Sequence, residues 1–318
     1  MTNLTIDILL AVYNNAEYLA AQLHSLMEQT YPHFRIIARD DCSTDHSIEI
    51  IEEFNQRYPE KIVLIKGNEN LGARGNFATL IHHAQADYIM FCDADDVWFP
   101  TKIEESLILM QKNEALYGRN SPILIHTDLT VTDKHLCVLN HSFWNYSKLN
   151  PQLANHLNRL LTHNVITGCT LLINKPLLSI VAPIPKEAIM HDWWIGIVAS
   201  TFGHIDFLDK STLFYRQHGK NDTGAKNWRS LGTYWSHMKK GMERAGRCEM
   251  RQQISKTIQQ ALCFSLRYSG KMEIQKQKIV QHYTTLGTSG ILKKRILFFK
   301  HRYFKNTFIK NSAMFLFL

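Results

Sequence analysis

Over the first ninety or so residues, short apolar runs alternate with stretches of helical period, and each run ends in a polar turn. Ile6 to Val12 reads as a strand, followed by Tyr13-Asn14-Asn15 and a helical pattern from Glu17 to Gln29. Phe34 to Ala38 predicts a second strand that runs into Asp40-Asp41-Cys42-Ser43-Thr44-Asp45. The next helix extends to about Arg57, with Ser43 or Thr44 as its N-cap. Ile62 to Ile65 is a third strand, Asn68 to Gly72 a turn, and Arg74 to His83 a helix. Tyr88 to Cys92 is apolar at every position, as a strand covered on both faces must be, and it opens directly onto Asp93, Asp95 and Asp96. Strands alternating with helices imply βαβ units and a mostly parallel sheet flanked by helices. In such sheets ligands bind beyond the carboxyl ends of the strands. Tyr13, Asp40, Asp41 and Asp93 to Asp96 all fall there.

Three carboxylates within four residues repel one another unless a cation or several donors face them. Hard oxygen donors at this density suit Mg²⁺ or Mn²⁺, which in turn would hold a phosphate-bearing ligand. The plainer reading is a solvated acidic turn capping the helix that starts near Pro100. Further motifs weigh against it. Ala11-Val12-Tyr13-Asn14, Asp40 to Asp45, Asn70-Leu71-Gly72 with Arg74 and Asn76, Asp93-Ala94-Asp95-Asp96, His191-Asp192-Trp193-Trp194 and Tyr215-Arg216-Gln217-His218-Gly219 occur in that order. Together they resemble a family 2 glycosyltransferase of GT-A (Rossmann-like) fold, over about residues 5 to 222. Within that family the pattern is most similar to bacterial rhamnosyltransferase-like enzymes of surface polysaccharide assembly. The resemblance implies an inverting enzyme that moves a sugar from a UDP- or dTDP-sugar, dTDP-rhamnose among them, to a hydroxyl of a growing cell-surface glycan or glycolipid.

It also implies roles, residue by residue. Asp41 would accept the imide N–H of a uracil or thymine ring, since a carboxylate only accepts. Tyr13 would stack on that base, unless it is a structural aromatic at a strand end, and the Ala11 backbone would bond its edge. Asp40 would orient the pocket, and Arg74 would reach the base or phosphates. Asn76 would bind the donor or merely cap a helix. Asp95 would ligate the metal, Asp93 would meet ribose or metal-bound water, and Asp96 would support them or touch the acceptor. His218 would approach the metal or the diphosphate, with Arg216 and Lys220 neutralising the leaving group. Inversion needs a base opposite the leaving group, and Asp192 fills that position. The same Asp192 could instead cap a helix from Trp193 to Ser200. Trp193 and Trp194 would form a platform for a sugar ring or enter the core. Gly168, in Thr167-Gly168-Cys169-Thr170, would allow close approach of the acceptor. His163 and Asn164 are weaker candidates for the same region.

Composition adds a division of charge. The net charge is +8, yet 19 of the 36 Lys and Arg, and only three of the 28 acidic residues, lie after residue 224. The chain therefore divides into a catalytic GT-A domain, 1–224, and a basic, mainly helical C-terminal extension, 225–318. Leu292, Ile296, Phe299 and Tyr303 share a helical face among Lys293, Lys294, Arg295, Lys300 and Arg302. That pattern predicts an element lying on the anionic inner face of the cytoplasmic membrane, or a helical hairpin packed on the catalytic domain. No recognition motif accompanies the charge, so nucleic acid is not an expected partner. The six cysteines are scattered, without metal-type pairs, and read as free thiols of a reducing cytosol. Ile6 to Val12 is too short for a signal peptide, and no run reaches the ~18 apolar residues of a spanning helix. The expected setting is cytoplasmic and peripheral on the membrane. Two rivals remain: a catalytically inactive membrane-associated scaffold of the same fold, and a nucleotidyltransferase. The second would carry a glycine- and basic-rich phosphate loop where Tyr13-Asn14-Asn15 stands.

Overall fold

The first strand, β1 (Ile6–Val12), divides its side chains between two apolar layers: Ile6, Ile8, Leu10 and Val12 enter one and Leu9 the other. Continuous apolar runs follow from this, because helices cover both faces of the central strands. The computed structural model describes residues 4–219, 244–304 and Asn311. Lys220, the expected boundary near residue 224, and the tail beyond Phe304 apart from Asn311 lie outside the described residues. After β1 come α1 (Ala16–Met27), β2 (Phe34–Asp40), α2 (Ser47–Arg57), β3 (Ile62–Lys66), α3 (Gly72–Leu80) and β4 (Tyr88–Asp93). A two-residue β5 (Val97–Trp98) leads to α4 (Lys102–Tyr117), the long β6 (Ile123–Asp133) and the short β7 (Val138–Asn140). Short helices α5 (Phe143–Ser147) and α6 (Leu157–Leu160) precede β8 (Leu172–Asn174), α7 (Lys175–Val181), α8 (His191–Phe202) and β9 (His204–Gln217).

The sheet order is β3-β2-β1-β4-β8-β6-β9-β5, with β7 paired to β6. The first four strands are parallel. Beyond β4 the sheet is mixed, since β8 runs antiparallel to both β4 and β6. Two reversals cancel, so β6 and its parallel neighbour β9 point the same way as β4. Register then aligns the strand ends: Val12 faces Asp40, Ala11 faces Asp93, and Asp133 faces Gln217. Every polar motif except the α8 pair thus emerges at one carboxyl edge. The turn before β8 puts Gly168 at that edge too, because β8 runs the other way.

The cap expected at Ser43 or Thr44 is supplied differently. The Asp45 carboxylate accepts from the Ser47 N–H at 3.1 Å and from the Ala16 N–H at 2.9 Å, so one residue holds the starts of both α1 and α2. Two thiols, Cys92 and Cys169, are buried, whereas Cys137 and Cys248 are exposed.

The C-terminal helices α9 (Arg244–Arg267), α10 (Ile274–Thr284) and α11 (Ile291–Lys300) share one core with the sheet and helices before them. Phe264, Tyr268, Tyr283, Phe298 and Tyr303 join Trp194 and Ile195 in one apolar cluster. Tyr268 donates to the Ile180 carbonyl at 2.8 Å, and the Ile189 N–H donates to Gln260 at 2.8 Å, two residues before α8. Tyr303, expected on the exposed face of the basic helix, is fully buried, and so is Phe298. Leu292, Ile296 and Phe299 remain exposed. The inner side of the helix therefore packs, as the hairpin expectation had it, and its outer side keeps apolar and basic residues in solvent. Among the described residues no helix is long and apolar enough to cross a membrane.

Candidate active site

At the carboxyl edge lies a cavity of about 650 Å³, within the range of small-ligand sites. Ala11, Tyr13, Asp41, Asn76, Asp93 and Asp95 line it, together with Gly168, Asp192 and His218. Residues from four strand ends and one helix N-terminus are thereby brought together.

Asp41 is buried and heavily engaged. It pairs with Arg39 and accepts from the backbone N–H groups of Leu71 (2.9 Å) and Gly72 (2.8 Å). Gly72 has φ +67°, a conformation natural to glycine, which lets the turn aim its N–H at the carboxylate. Reading a base would require Asp41 to share oxygens already holding this turn. Asp40 is closed off, with one oxygen accepting from the Ser43 N–H at 2.9 Å. Asn76 sits inside α3 and not at its cap: its amide donates to the Arg39 carbonyl at 3.2 Å and accepts from the Arg39 guanidinium at 3.3 Å. Arg74 is half-buried on α3 and does not line the cavity. Tyr13 lines it and is 49% exposed, leaving its ring face open for stacking.

The carboxylate turn after β4 is clamped from β9. His218 Nε2 lies 2.7 Å from Asp95 Oδ2, and Tyr18 stacks on the imidazole with ring centroids 4.8 Å apart. Arg216 donates from Nε to the Asp95 carbonyl at 2.8 Å and from a terminal nitrogen to the Lys134 carbonyl at 2.7 Å. Its guanidinium also covers the Tyr18 ring at 4.7 Å. Arg216 is 5% exposed, so it fastens three segments instead of facing the cavity. Among the described residues, the Lys or Arg that lines the cavity is Lys134, in the turn after β6. No motif marks it, and the pairing of β6 with β9 brings it here; Tyr18, likewise outside the motifs, comes from the first turn of α1. Asp96 is fully buried, accepts from the Arg216 N–H at 3.3 Å, and cannot touch an acceptor. Burial, then the charges of Asp95 and Asp93, push its pKa well above the ordinary carboxyl value. Such mutual repulsion is what a divalent cation would relieve, and the carboxylate oxygens are hard ligands suited to one. Asp95 and His218 are the pair that could hold such an ion.

Asp192 stands in the first turn of α8 and is 8% exposed. Burial raises its pKa to about 7, against hydrogen bonds from the Trp193 and Gly168 N–H groups and the Asn164 amide, which lower it. The carboxyl is thus poised to take a proton near neutral pH. Trp194 is fully buried against Phe264, and the half-buried Trp193 donates its indole N–H to the Leu160 carbonyl. Neither lines the cavity, so the expected sugar platform is absent and both serve packing.

Residues 7–179, more than half the chain, match the model of Glycosyl transferase family 2. The chain belongs to that family. The dTDP-rhamnosyl transferase RfbG of Shigella flexneri is 28% identical over 230 residues, covering 68% of this chain and 74% of that protein. The UDP-Glc:alpha-D-GlcNAc-diphosphoundecaprenol beta-1,3-glucosyltransferase WfaP of Escherichia coli is 33% identical over 40% of this chain and 49% of its own length. Among solved structures, S. aureus TarS 1-349 in complex with UDP-GlcNAc superimposes with a TM-score of 0.54 at 14% identity, covering 98% of this chain and 90% of that one. The mannosyltransferase PcManGT from Pyrobaculum calidifontis, in complex with GDP-Man and Mn²⁺, gives 0.53 at 15% identity over 92% and 73%. The fold is therefore GT-A, and the chain is a family 2 glycosyltransferase.

Proposed function

We propose that the protein is an inverting, divalent-metal-dependent transferase that moves a sugar from a UDP- or dTDP-sugar to a hydroxyl of a lipid-linked surface glycan. The observation that carries this reading is the meeting of two chemistries in one cavity. Asp93, Asp95 and His218 offer a cation and diphosphate seat, and Asp192 offers a base with its pKa near 7. Asp192 would take the acceptor proton as the hydroxyl attacks the anomeric carbon, while the nucleoside diphosphate leaves toward Asp95 and Lys134. The likeness to RfbG makes dTDP-rhamnose the first donor to try. Neither the inactive scaffold nor the nucleotidyltransferase is favoured by any feature of this cavity.

The acceptor end of the proposal includes the membrane. Helix α11 turns Leu292, Ile296 and Phe299 outward beside the exposed Lys293 and Lys300. Apolar area flanked by cations suits the anionic inner leaflet, where a lipid-linked acceptor would be presented. The deciding experiment is a binding and turnover panel of UDP- and dTDP-sugars, run with Mn²⁺, with Mg²⁺ and with chelator. Metal-dependent binding and release of UDP or dTDP are expected; absence of both for every donor would refute the proposal.

A further inference from the structure

A second cavity, of about 230 Å³, opens where α5, the segment Asn150–Gln152 and β9 meet, and it shares no lining residue with the first. Its inner wall is aromatic: Trp144 and Phe207 cross edge to face with ring centroids 5.6 Å apart. Its exposed rim is polar, with Asn145, Asn150, Gln152 and Asp209. Asp128 fixes the wall from behind, since its carboxylate accepts from the N–H groups of Phe143 at 3.0 Å and Trp144 at 3.2 Å.

Trp144 is 5% exposed, and a buried indole normally gives its N–H an acceptor. Among the described tryptophans, Trp193 donates to the Leu160 carbonyl, and the N–H groups of Trp98 and Trp194 are sealed in the core. That of Trp144 is neither: it has no partner among the described residues, yet it is not closed off. Because Trp144 lines the second cavity, the missing acceptor is one that enters there. The side-chain amides of Asn145 and Gln152 and the Asp209 carboxylate likewise make no hydrogen bond among the described residues. An indole donor, amides that both donate and accept, and a carboxylate acceptor around an aromatic wall complement a ring bearing hydroxyls and C–H faces. Asp209 is the charged lining residue, so a phosphate is disfavoured. The volume lies below the ~300 Å³ at which drug-sized sites begin and suits a single sugar ring.

We infer that this cavity is a carbohydrate subsite that holds one neutral sugar unit of the acceptor glycan, other than the reacting one. Phe143, next to Trp144, packs edge-on against Tyr215 with centroids 5.9 Å apart, and Tyr215 lines the first cavity, so α5 links the two. The inference rests on the transferase reading for the identity of the glycan and deepens it, by giving the enzyme a hold on acceptor length.

The test is saturation-transfer NMR on the full chain with the methyl glycosides of rhamnose, glucose and N-acetylglucosamine, with and without UDP and Mn²⁺. The variants are Trp144→Phe, which removes the N–H and keeps a ring, and the rim pair Asn145→Ala with Gln152→Ala, whose exposed side chains carry no packing. At least one glycoside is expected to bind whether or not nucleotide is present. Its Kd should rise about tenfold in each variant, the scale of one or two lost hydrogen bonds. The rim pair should keep the wild-type thermal midpoint and UDP affinity, and should raise KM for an oligosaccharide acceptor but not for a monosaccharide one. No glycoside binding by the wild type, displacement of the glycoside by UDP and Mn²⁺, or unchanged Kd in both variants overturns the subsite. A wild type that binds glycosides in this way but neither binds nor turns over any nucleotide-sugar overturns the transferase reading instead, and leaves a sugar-binding cavity without it.

Discussion

His218 and Asp95, 123 residues apart in the chain, meet at 2.7 Å, with Tyr18 stacked on the imidazole. The contact joins the end of β9 to the turn after β4 and sets the carboxylate that the proposed ion would use. His218→Ala is therefore expected to weaken Mn²⁺-dependent UDP or dTDP binding by about 10- to 100-fold, the usual cost of losing a group that holds a metal site. Asp95→Ala should abolish turnover with the fold intact. Titration calorimetry with Mn²⁺ and with chelator checks both; full activity in chelator would remove the metal role.

Asp192 should separate chemistry from binding. Asp192→Asn is expected to lower kcat by about 10² to 10⁴ while nucleotide affinity stays near wild type. With a folded-state pKa of about 7, the wild-type rate should climb with pH up to that value, and the variant should lose this limb. A large loss of donor binding would instead place Asp192 in the nucleotide pocket.

The same shift predicts a stability effect of defined sign. The folded state raises the Asp192 pKa, so its contribution to stability is full below the ordinary value of 3.8 and is lost as pH rises through about 7. Asp192→Asn, neutral at every pH, should gain stability over wild type above pH 7, by at most about 4 kcal/mol for a shift of about three pH units. Denaturant unfolding at pH 5 and pH 8 would show a clearly larger gain at the higher pH.

Arg216 holds the carbonyls of Asp95 and Lys134 and lies over Tyr18. Arg216→Ala should cost about 1.5–3 kcal/mol for each charge-assisted bond removed. A lowered unfolding midpoint, together with weaker metal-dependent nucleotide binding, is expected. Loss of phosphate affinity at unchanged stability would show a direct ligand contact in place of the clamp.

Point substitutions test the membrane face better than truncation, because Leu297, Phe298 and Tyr303 are buried in the shared core and deleting them would strip it. Leu292→Ser with Ile296→Ser and Phe299→Ser should reduce co-sedimentation with anionic vesicles without lowering the thermal midpoint. Lys293→Glu with Lys300→Glu should do the same more strongly at low salt, at about 1 kcal/mol per basic residue lost. Vesicle binding that survives both sets would assign α11 to packing alone.

The sequence by itself determined the βαβ half of the fold and the location of its site. Strands buried on both faces must be apolar throughout, so Ile6–Val12 and Tyr88–Cys92 announce themselves, and the polar residues after them must lie at one edge. The family resemblance carried by the motifs implies one site for Asp93, Asp95, Asp192 and His218, and all four line one cavity. What the tertiary structure alone decided is how each side chain is used. Arg39 and the Leu71–Gly72 turn occupy Asp41, Arg216 became a clamp, Lys134 and Tyr18 entered the site, and the α8 tryptophans went to the core. Local patterning cannot reveal these outcomes, because each depends on which distant segment supplies the partner: β6 beside β9, or α9 beneath α8. The basic helix shows the same limit, since its period marks an apolar face, and only packing decides whether that face meets a core or a membrane.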